Sequence, residues 1–313
     1  MNREQTEEKI KQIKDNFERK LAYELNLLRV SGPIFVSVES NINDDLGNSN
    51  PVTFNTQSGK LQVVQSLAKW KRMRLKDFDS SKYQGIYVDM NAIRPDETPD
   101  NLHSIYVDQW DWEKIINESN RTKNYLEETV SIIHKVINSF FDINKKYPEN
   151  VYFINSKDLY DLYPAVAPKS REYLICKENK VVFIERIGWP LPDGKPHDLR
   201  AADYDDWQLN GDLLYWSDAI QAPIEISSMG IRVDRDSLFD QLNYVGKNNI
   251  LFQKCEYYED ILNKNVPYTI GGGIGQSRLC MLILQKKHIG EVQASVWPKE
   301  MIDECKRDGI ELL

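Results

Sequence analysis

Three side chains in this sequence sit where their chemistry is hard to explain as packing. Arg278 follows the run Gly271-Gly272-Gly273-Ile274-Gly275-Gln276-Ser277 and precedes the apolar stretch Leu279 to Leu284. Residues 276–287 have the length and composition of a buried helix, so the arginine falls in its first turn. Backbone N–H groups there already favour anions, and a cation in that place calls for an anionic partner. The glycines before it predict a strand-to-helix turn with φ > 0 and a close backbone approach. Arg94 ends the strand-like run Gly85 to Ile93, and a second run from His103 to Trp112 returns as a hairpin that can aim the cation over the sheet. Glu225 lies between Ile224 and Ile226 in an extended apolar segment, where a carboxylate is costly unless a cation or metal meets it. Taken singly, Arg278 also fits a surface arginine after a tight turn and Glu225 a structural ion pair; an anion-handling site that uses Glu225 for a metal or substrate is the alternative that the rest of the chain must decide.

The rest of the chain must bring these groups together. It has 313 residues, 41% of them hydrophobic and 11% aromatic, enough for a substantial core. A net charge of −8 argues against a nucleic-acid protein held by a broad basic face. No stretch approaches the roughly 20 apolar residues of a membrane span. The charged N-terminus lacks a signal-peptide core, and Cys176, Cys255, Cys280 and Cys305 are scattered without metal-ligand spacing. Reduced thiols in the cytoplasm, and no structural zinc, are the expectation.

Residues 3–28 read as an amphipathic helix with Ile10, Ile13, Phe17, Leu21, Leu25 and Leu28 on one stripe. Pro33 then marks an edge or strand start. The segment from Asn41 to Asn50, with Asp44 and Asp45, reads as a solvated acidic loop. Residues 51–65 read as a hairpin turning at Ser58-Gly59, and Ser66 as the cap of a basic helix from Leu67 to Asp77. In the 103–112 strand, alternation puts Tyr106, Asp108 and Trp110 on one face and Val107, Gln109 and Asp111 on the other. Helices are expected over 121–142, 158–163, 171–177 and within 235–262, with strands at 150–154, 180–187, 212–216 and 222–233. Residues 189–200 read as a loop, and Asp203, Asp205 and Asp206 as a solvated acidic turn. Because the strands arrive as hairpins, the expected architecture is α+β: a single domain over 1–313, its mostly antiparallel sheet flanked by helices.

An arginine ending a hairpin strand, a carboxylate on a central strand and a glycine-flanked arginine opening a late helix together resemble the class II aminoacyl-tRNA synthetase catalytic fold. Pro33 matches the first signature motif, Arg94 the second and Gly271–Arg278 the third. Longer words are more specific: Gln65-Ser66-Leu67-Ala68-Lys69-Trp70-Lys71-Arg72, the run from Leu102 to Glu113, Asp203-Tyr204-Asp205-Asp206-Trp207, and the run from Glu225 to Arg232. With the glycine run they resemble the ammonia-dependent asparagine synthetases, the aspartate–ammonia ligases, nearly end to end. The Asn41–Asn50 loop and a short Trp189–Pro196 segment depart from that pattern.

The resemblance implies a two-step reaction: aspartate and ATP give β-aspartyl-AMP and pyrophosphate, then ammonia displaces AMP to give asparagine. It implies that Arg94 meets the α-phosphate and the reacting carboxylate, and Arg278 a phosphate or the adenine. It places His103, Val107, Arg232, Gly273 and Gly275 with Glu225 around ATP, and Asp212 and Glu225 on Mg2+, with Asp212 alternatively facing substrate. Ser66, Lys71, Gln109, Asp111, Ser227 and Ser228 would line the aspartate pocket. Asp44 would close that pocket and hold ammonium or accept its proton, and a homodimer would form through the Pro33 region. Two rivals stand beside it. An aspartyl- or asparaginyl-tRNA synthetase needs an anticodon-binding module, whereas here a helix leads directly into the Pro33 segment. A non-catalytic paralogue that binds amino acid or nucleotide would be expected to lose Arg94, Glu225 and Arg278. A glutamine-dependent enzyme is disfavoured, since no cysteine nucleophile follows Met1 and no glutaminase domain is evident.

Overall fold

The first helix is started by its own sequence: Asn2 accepts the Gln5 N–H at 2.9 Å while the Gln5 side chain returns to the Asn2 N–H at 3.1 Å, a reciprocal cap. It stops at Asn26, which takes the left-handed conformation (φ 55°), so the helix ends before Leu28 and the chain turns straight into a strand. The computed structural model describes residues 2–44, 50–141, 146–252 and 255–313. In order these form α1 (Arg3–Leu25), β1 (Leu27–Arg29), β2 (Phe35–Ser37), β3 (Thr53–Thr56), β4 (Gly59–Val63), α2 (Ala68–Arg74), β5 (Gly85–Ile93), β6 (Tyr106–Ile115) and α3 (Lys123–Asn138). There follow β7 (Tyr152–Asn155), α4 (Ser156–Leu162), α5 (Pro168–Asn179), β8 (Val181–Glu185), β9 (Asp205–Ser217) and β10 (Ala222–Arg232). The chain closes with α6 (Arg235–Tyr244), α7 (Glu256–Leu262), β11 (Thr269–Gly275), α8 (Gln276–Leu284) and α9 (Lys299–Arg307).

The large sheet runs β1-β5-β6-β11-β10-β9-β8-β7, parallel only in the outer pairs β1/β5 and β7/β8. A small sheet, β2-β4-β3, stands apart from it. The mixed α+β architecture with a mostly antiparallel sheet is therefore as expected. One face is covered by α1, α3 and α8, whose Phe17, Val130, Ile133 and Leu279 bury with Trp110, Trp112, Phe183 and Tyr215 of the strands. The other face is covered at its two ends. Around α2, Leu67 packs with Val88 and Met90; around α5, Ile175 and Cys176 pack with Val182, Ile184, Leu214 and Trp216. Between those two ends the sheet surface is left to polar groups, and the site lies there.

Two expectations need correcting. The glycines before Arg278 are not a turn: Gly271, Gly272, Gly273 and Gly275 belong to β11, and none has positive φ. What requires them is space, since a Cβ on Gly272 would lie 2.5 Å from the Met229 Cβ of the neighbouring strand. Nor are the acidic segments solvated. Asp44, Asp203, Asp205 and Asp206 are each at most 6% exposed, and each meets a fixed donor. Composition alone could not reveal this, because the cations that bury them come from distant parts of the chain. No described helix is long and apolar enough to cross a membrane.

Candidate active site

A β-bulge prepares the floor of the site. Glu225 pairs with Leu214 and Ser227 with Leu213, so Ile226 is the extra residue. Ile224 and Ile226 stay in the core on one face, yet beyond the bulge it is Met229 and Ile231 that do so. The slip carries Ser228 to the same face as Glu225, as bulges next to functional sites commonly re-aim side chains. β11 lies beside this strand with almost no side chains of its own. A Cβ on Gly273 would sit 2.2 Å from Gln109 Oε1, and one on Gly271 2.1 Å from Glu113 Oε2. The glycines thus make room for the long side chains of β6.

Over this floor opens a cavity of about 650 Å3. Arg94, Glu225 and Arg278 all line it, from the end of β5, from β10 and from the first turn of α8. Arg278 donates to the Glu225 carbonyl oxygen at 3.1 Å, and its guanidinium is 3.7 Å from the Glu225 carboxylate. Among the described residues Arg94 makes one long hydrogen bond, to the Gln65 carbonyl at 3.4 Å, and its Nε has no partner. Burial, and then the neighbouring Arg278 charge, push the Arg94 guanidinium down. Burial pushes the Glu225 carboxyl up, but Arg278, then Arg200, Lys169 and Arg94, outweigh it and hold the group below the usual carboxylate range. Four cations thus gather around the single carboxylate of Glu225, concentrating positive charge in that part of the cleft as an anion-binding site requires, while Asp96, Glu97, Asp108 and Asp198 lie elsewhere on the wall.

Several further expected residues line the same cavity: His103, Val107, Gln109, Ser227, Ser228, Gly273 and Gly275. The His103 ring sits at the rim, 2.9 Å from the Asp100 carboxylate. Ser227 donates to the Gly273 carbonyl at 2.9 Å, tying β10 to β11.

Other expected residues are not on the cavity wall. Lys71 is fully buried beneath the floor, ion-paired with Asp111 and donating to the carbonyls of Trp112 at 3.0 Å and Gly272 at 3.3 Å. Asp111 keeps one oxygen, Oδ2, without a partner among the described residues. Arg232 is clamped by Glu113, at 2.9 and 2.7 Å, and by Asp205. Asp44 accepts the backbone N–H groups of Ala68 at 2.7 Å and Lys69 at 3.2 Å. It therefore shares the capping of α2 expected from Ser66, whose hydroxyl also accepts the Ala68 N–H, at 3.4 Å. Asp45 lies outside the described residues. Asp212 stands just behind the wall, paired with Arg200 and with Oδ1 unpartnered among the described residues. Burial pushes its carboxyl up to about 6; Arg200 opposes this, while Glu225 and Asp198 reinforce it.

The cavity also holds groups that the sequence did not single out, Lys169, Asp198 and Arg200, and Tyr204, which had figured only within the Asp203–Trp207 run. Lys169 follows Pro168 at the start of α5, so a cation sits in a first helical turn here as at Arg278. That shared signal could have found it. Arg200 belongs to an irregular segment read only as a loop, and no periodicity marks it.

Asp108 also lines the cavity and shapes it from the α8 end. It accepts the Ser277 N–H at 3.1 Å, the Ser277 hydroxyl at 2.8 Å and Lys14 at 2.9 Å. The carboxylate caps α8 at the residue before Arg278 and fastens it to α1. Asp108→Ala is expected to cost about 2 kcal/mol, from the lost cap and the buried Ser277 hydroxyl and Gln293 amide left without their acceptor, with a smaller share from the half-buried Lys14, seen as a lower denaturant midpoint at unchanged slope. A midpoint equal to that of the parent protein would refute the capping role.

With the geometry established, comparison with known proteins is informative. A family model described as aspartate-ammonia ligase matches residues 4–309. The chain is 50% identical over 321 residues to the aspartate--ammonia ligase of Pediococcus pentosaceus, covering 99% of this chain and 95% of that protein. It is 49% identical to the enzyme of the same name from Ligilactobacillus salivarius, again over 99% and 95%. Among solved structures, the asparaginyl-tRNA synthetase of Entamoeba histolytica in complex with asparaginyl-adenylate aligns with TM-score 0.66 at 15% identity, over 93% of this chain and 66% of that one. The Pyrococcus horikoshii asparaginyl-tRNA synthetase aligns with TM-score 0.63 at 16% identity, over 94% and 70%. At such identities the structural likeness speaks for the fold alone.

Proposed function

This chain belongs to the aspartate–ammonia ligase family, and on that premise we propose how its cleft joins the two substrates. The enzyme makes L-asparagine from L-aspartate and ammonia, with ATP as the driving substrate. The observation that carries the assignment of the cleft is the convergence of Arg94, Arg278 and Glu225, from three separate elements, on one cavity.

A carboxylate oxygen is a poor leaving group, so the β-carboxylate of aspartate must first be activated. It attacks the α-phosphorus of ATP; the bond to the β-phosphate oxygen breaks, and pyrophosphate leaves with that electron pair. Negative charge spreads over oxygens in this transition state, and fixed guanidinium groups stabilise it where charge develops. Arg94 takes the α-phosphate and the attacking carboxylate, with Arg278 on the remaining phosphates or the adenine. His103, Val107, Gly273 and Gly275 bound the nucleotide. Gln109, Ser227 and Ser228 face the aspartate. Lys71 and Asp111, with its unpartnered oxygen, lie beneath them as the charges nearest to the α-carboxylate and α-ammonium. Ammonia then attacks the acyl carbon, AMP departs, and a proton is lost to solvent or to a nearby carboxylate. Asp44, both oxygens engaged with α2, serves the pocket by fixing the helix that carries Lys71, and Arg232 does so by holding the floor.

Asp212 and Glu225 suit Mg2+: their oxygens are hard donors, one of them is unpartnered, and magnesium commonly takes one or two carboxylates together with substrate phosphates. When bound there it would offset phosphate charge. The test is product analysis with ATP, Mg2+, aspartate and ammonium. Asparagine, AMP and pyrophosphate in equal amounts are expected; ADP as product, or charging of tRNA with aspartate, would overturn the assignment.

The same reading makes the chain a cytoplasmic, single-domain enzyme that binds no nucleic acid and works as a homodimer. The pairing surface is the segment after Pro33. Ile34 (57% exposed), just before β2, and Phe35 and Phe54, of β2 and β3, are exposed, the two rings edge to face at 5.5 Å. Phe35→Glu is expected to halve the mass seen by light scattering while leaving circular dichroism unchanged. A parent protein that is already monomeric at micromolar concentration would end the idea.

A further inference from the structure

Arg200 occupies a position that raises a question about how a metal could enter. Its guanidinium lines the cleft and pairs with Asp212 Oδ2 directly behind it. Its other terminal nitrogen donates to the Leu199 carbonyl at 3.0 Å and reaches Asp198 at 3.4 Å. The side chains of Arg200 and Asp212 are 13% and 7% exposed. Asp212 is fixed in β9, directly opposite Ser228 of β10, whereas Arg200 belongs to the irregular segment between β8 and β9. If one partner moves, it is the arginine.

A guanidinium does not lose its proton in a protein, so this pair cannot be dissolved by pH. A divalent cation beside the same carboxylate oxygen would meet a fixed positive charge at contact distance. We propose that Arg200 is a resident counter-cation for Asp212, which yields its place to the metal and moves onto the phosphates of the incoming nucleotide. The proposal rests on Asp212 and Glu225 being the metal ligands. Its consequence is coupling: metal binds poorly to the free enzyme and well once a triphosphate is there to receive the guanidinium, because bidentate arginine–phosphate contacts are strong.

The test is direct binding of Mn2+, followed by the loss of its free-ion paramagnetic resonance signal, with and without α,β-methylene-ATP. For the parent enzyme, weak binding alone and at least tenfold tighter binding with the analogue are expected. Arg200→Gln should bind Mn2+ at least tenfold tighter than the parent without nucleotide, and gain less from the analogue. Arg200→Gln combined with Asp212→Asn should return to weak binding. Arg200→Met repeats the measurement should the glutamine variant fail to fold, as judged by circular dichroism. Unchanged nucleotide-free Mn2+ affinity in the folded Arg200 variant overturns the exchange. Should Asp212→Asn and Glu225→Gln bind Mn2+ with the analogue as well as the parent does, the ligand assignment itself falls, and the exchange with it. If those two variants bind weakly while Arg200→Gln matches the parent, only the exchange is lost.

Discussion

Arg94→Lys is expected to slow aspartate-dependent ATP–pyrophosphate exchange by about 10²–10³-fold, the usual loss when one donor to a developing oxyanion is removed. The substitution keeps the charge, so the loss would come from geometry. A guanidinium presents a rigid fork that can meet the α-phosphate and the carboxylate attacking it at the same time; an ammonium is a compact point charge that favours one. The position is poised for an anion. Arg94 has an unpartnered Nε among the described residues and only a 3.4 Å hydrogen bond to Gln65, and burial and Arg278 both disfavour its charge. So little holds the side chain that a purely structural role predicts a small loss in stability and none in chemistry. Unfolding measured alongside the exchange separates the two. Exchange within threefold of the parent, with a shifted denaturation midpoint, would remove Arg94 from the reaction.

Much of this arrangement could be read from the chain. The Gly85–Ile93 strand was legible to the residue, because a short apolar run, buried through its first half, between two polar loops admits few other readings. Hairpin order gave the antiparallel sheet; alternation set Val107 and Gln109 on a common face, while their place at the cleft came from the resemblance, and Tyr106 and Asp108 of the other face also reach the cavity. Failures came where meaning depended on a partner far away in sequence. Asp203 reads as solvated until Lys69 is seen 3.0 Å from its carboxylate and the Tyr258 hydroxyl 2.7 Å away. Lys71 belongs to a basic run that could be an exposed face until it is found sealed beneath β6 and β11 and paired with Asp111. Arg200, in a loop without periodicity, carried no local signal at all. The glycine run was recognised as important for the wrong reason. Its residues have ordinary strand torsions, and what they lack is needed as volume rather than as conformational freedom.

That volume argument gives the second large effect: Gly271→Ala is expected to destabilise the fold by about 3–5 kcal/mol, the cost of breaking a buried ion pair by displacing one partner. The added Cβ would lie 2.1 Å from Glu113 Oε2 and 2.6 Å from Arg232 Nη2, inside the fork that joins them. Neither group can simply step aside. Gly271 is paired with Glu113 on one side and Gly230 on the other. Arg232 is tied to Asp205 as well, and Glu113 is fully buried. Burial pushes the Glu113 carboxyl up, yet Arg232 and then Lys71 outweigh it and hold it below the usual range. The pair therefore contributes stability above the unfolded carboxylate pKa, lost as pH falls through the lower folded value; in the alanine variant the acid transition should begin at higher pH. Gly275→Ala is the control within the same strand. There the nearest atom is Arg278 Cβ at 3.3 Å, and a loss below about 1 kcal/mol is expected. Equal losses for the two variants would mean that backbone freedom, not the space around the Glu113–Arg232 pair, is what this glycine strand supplies.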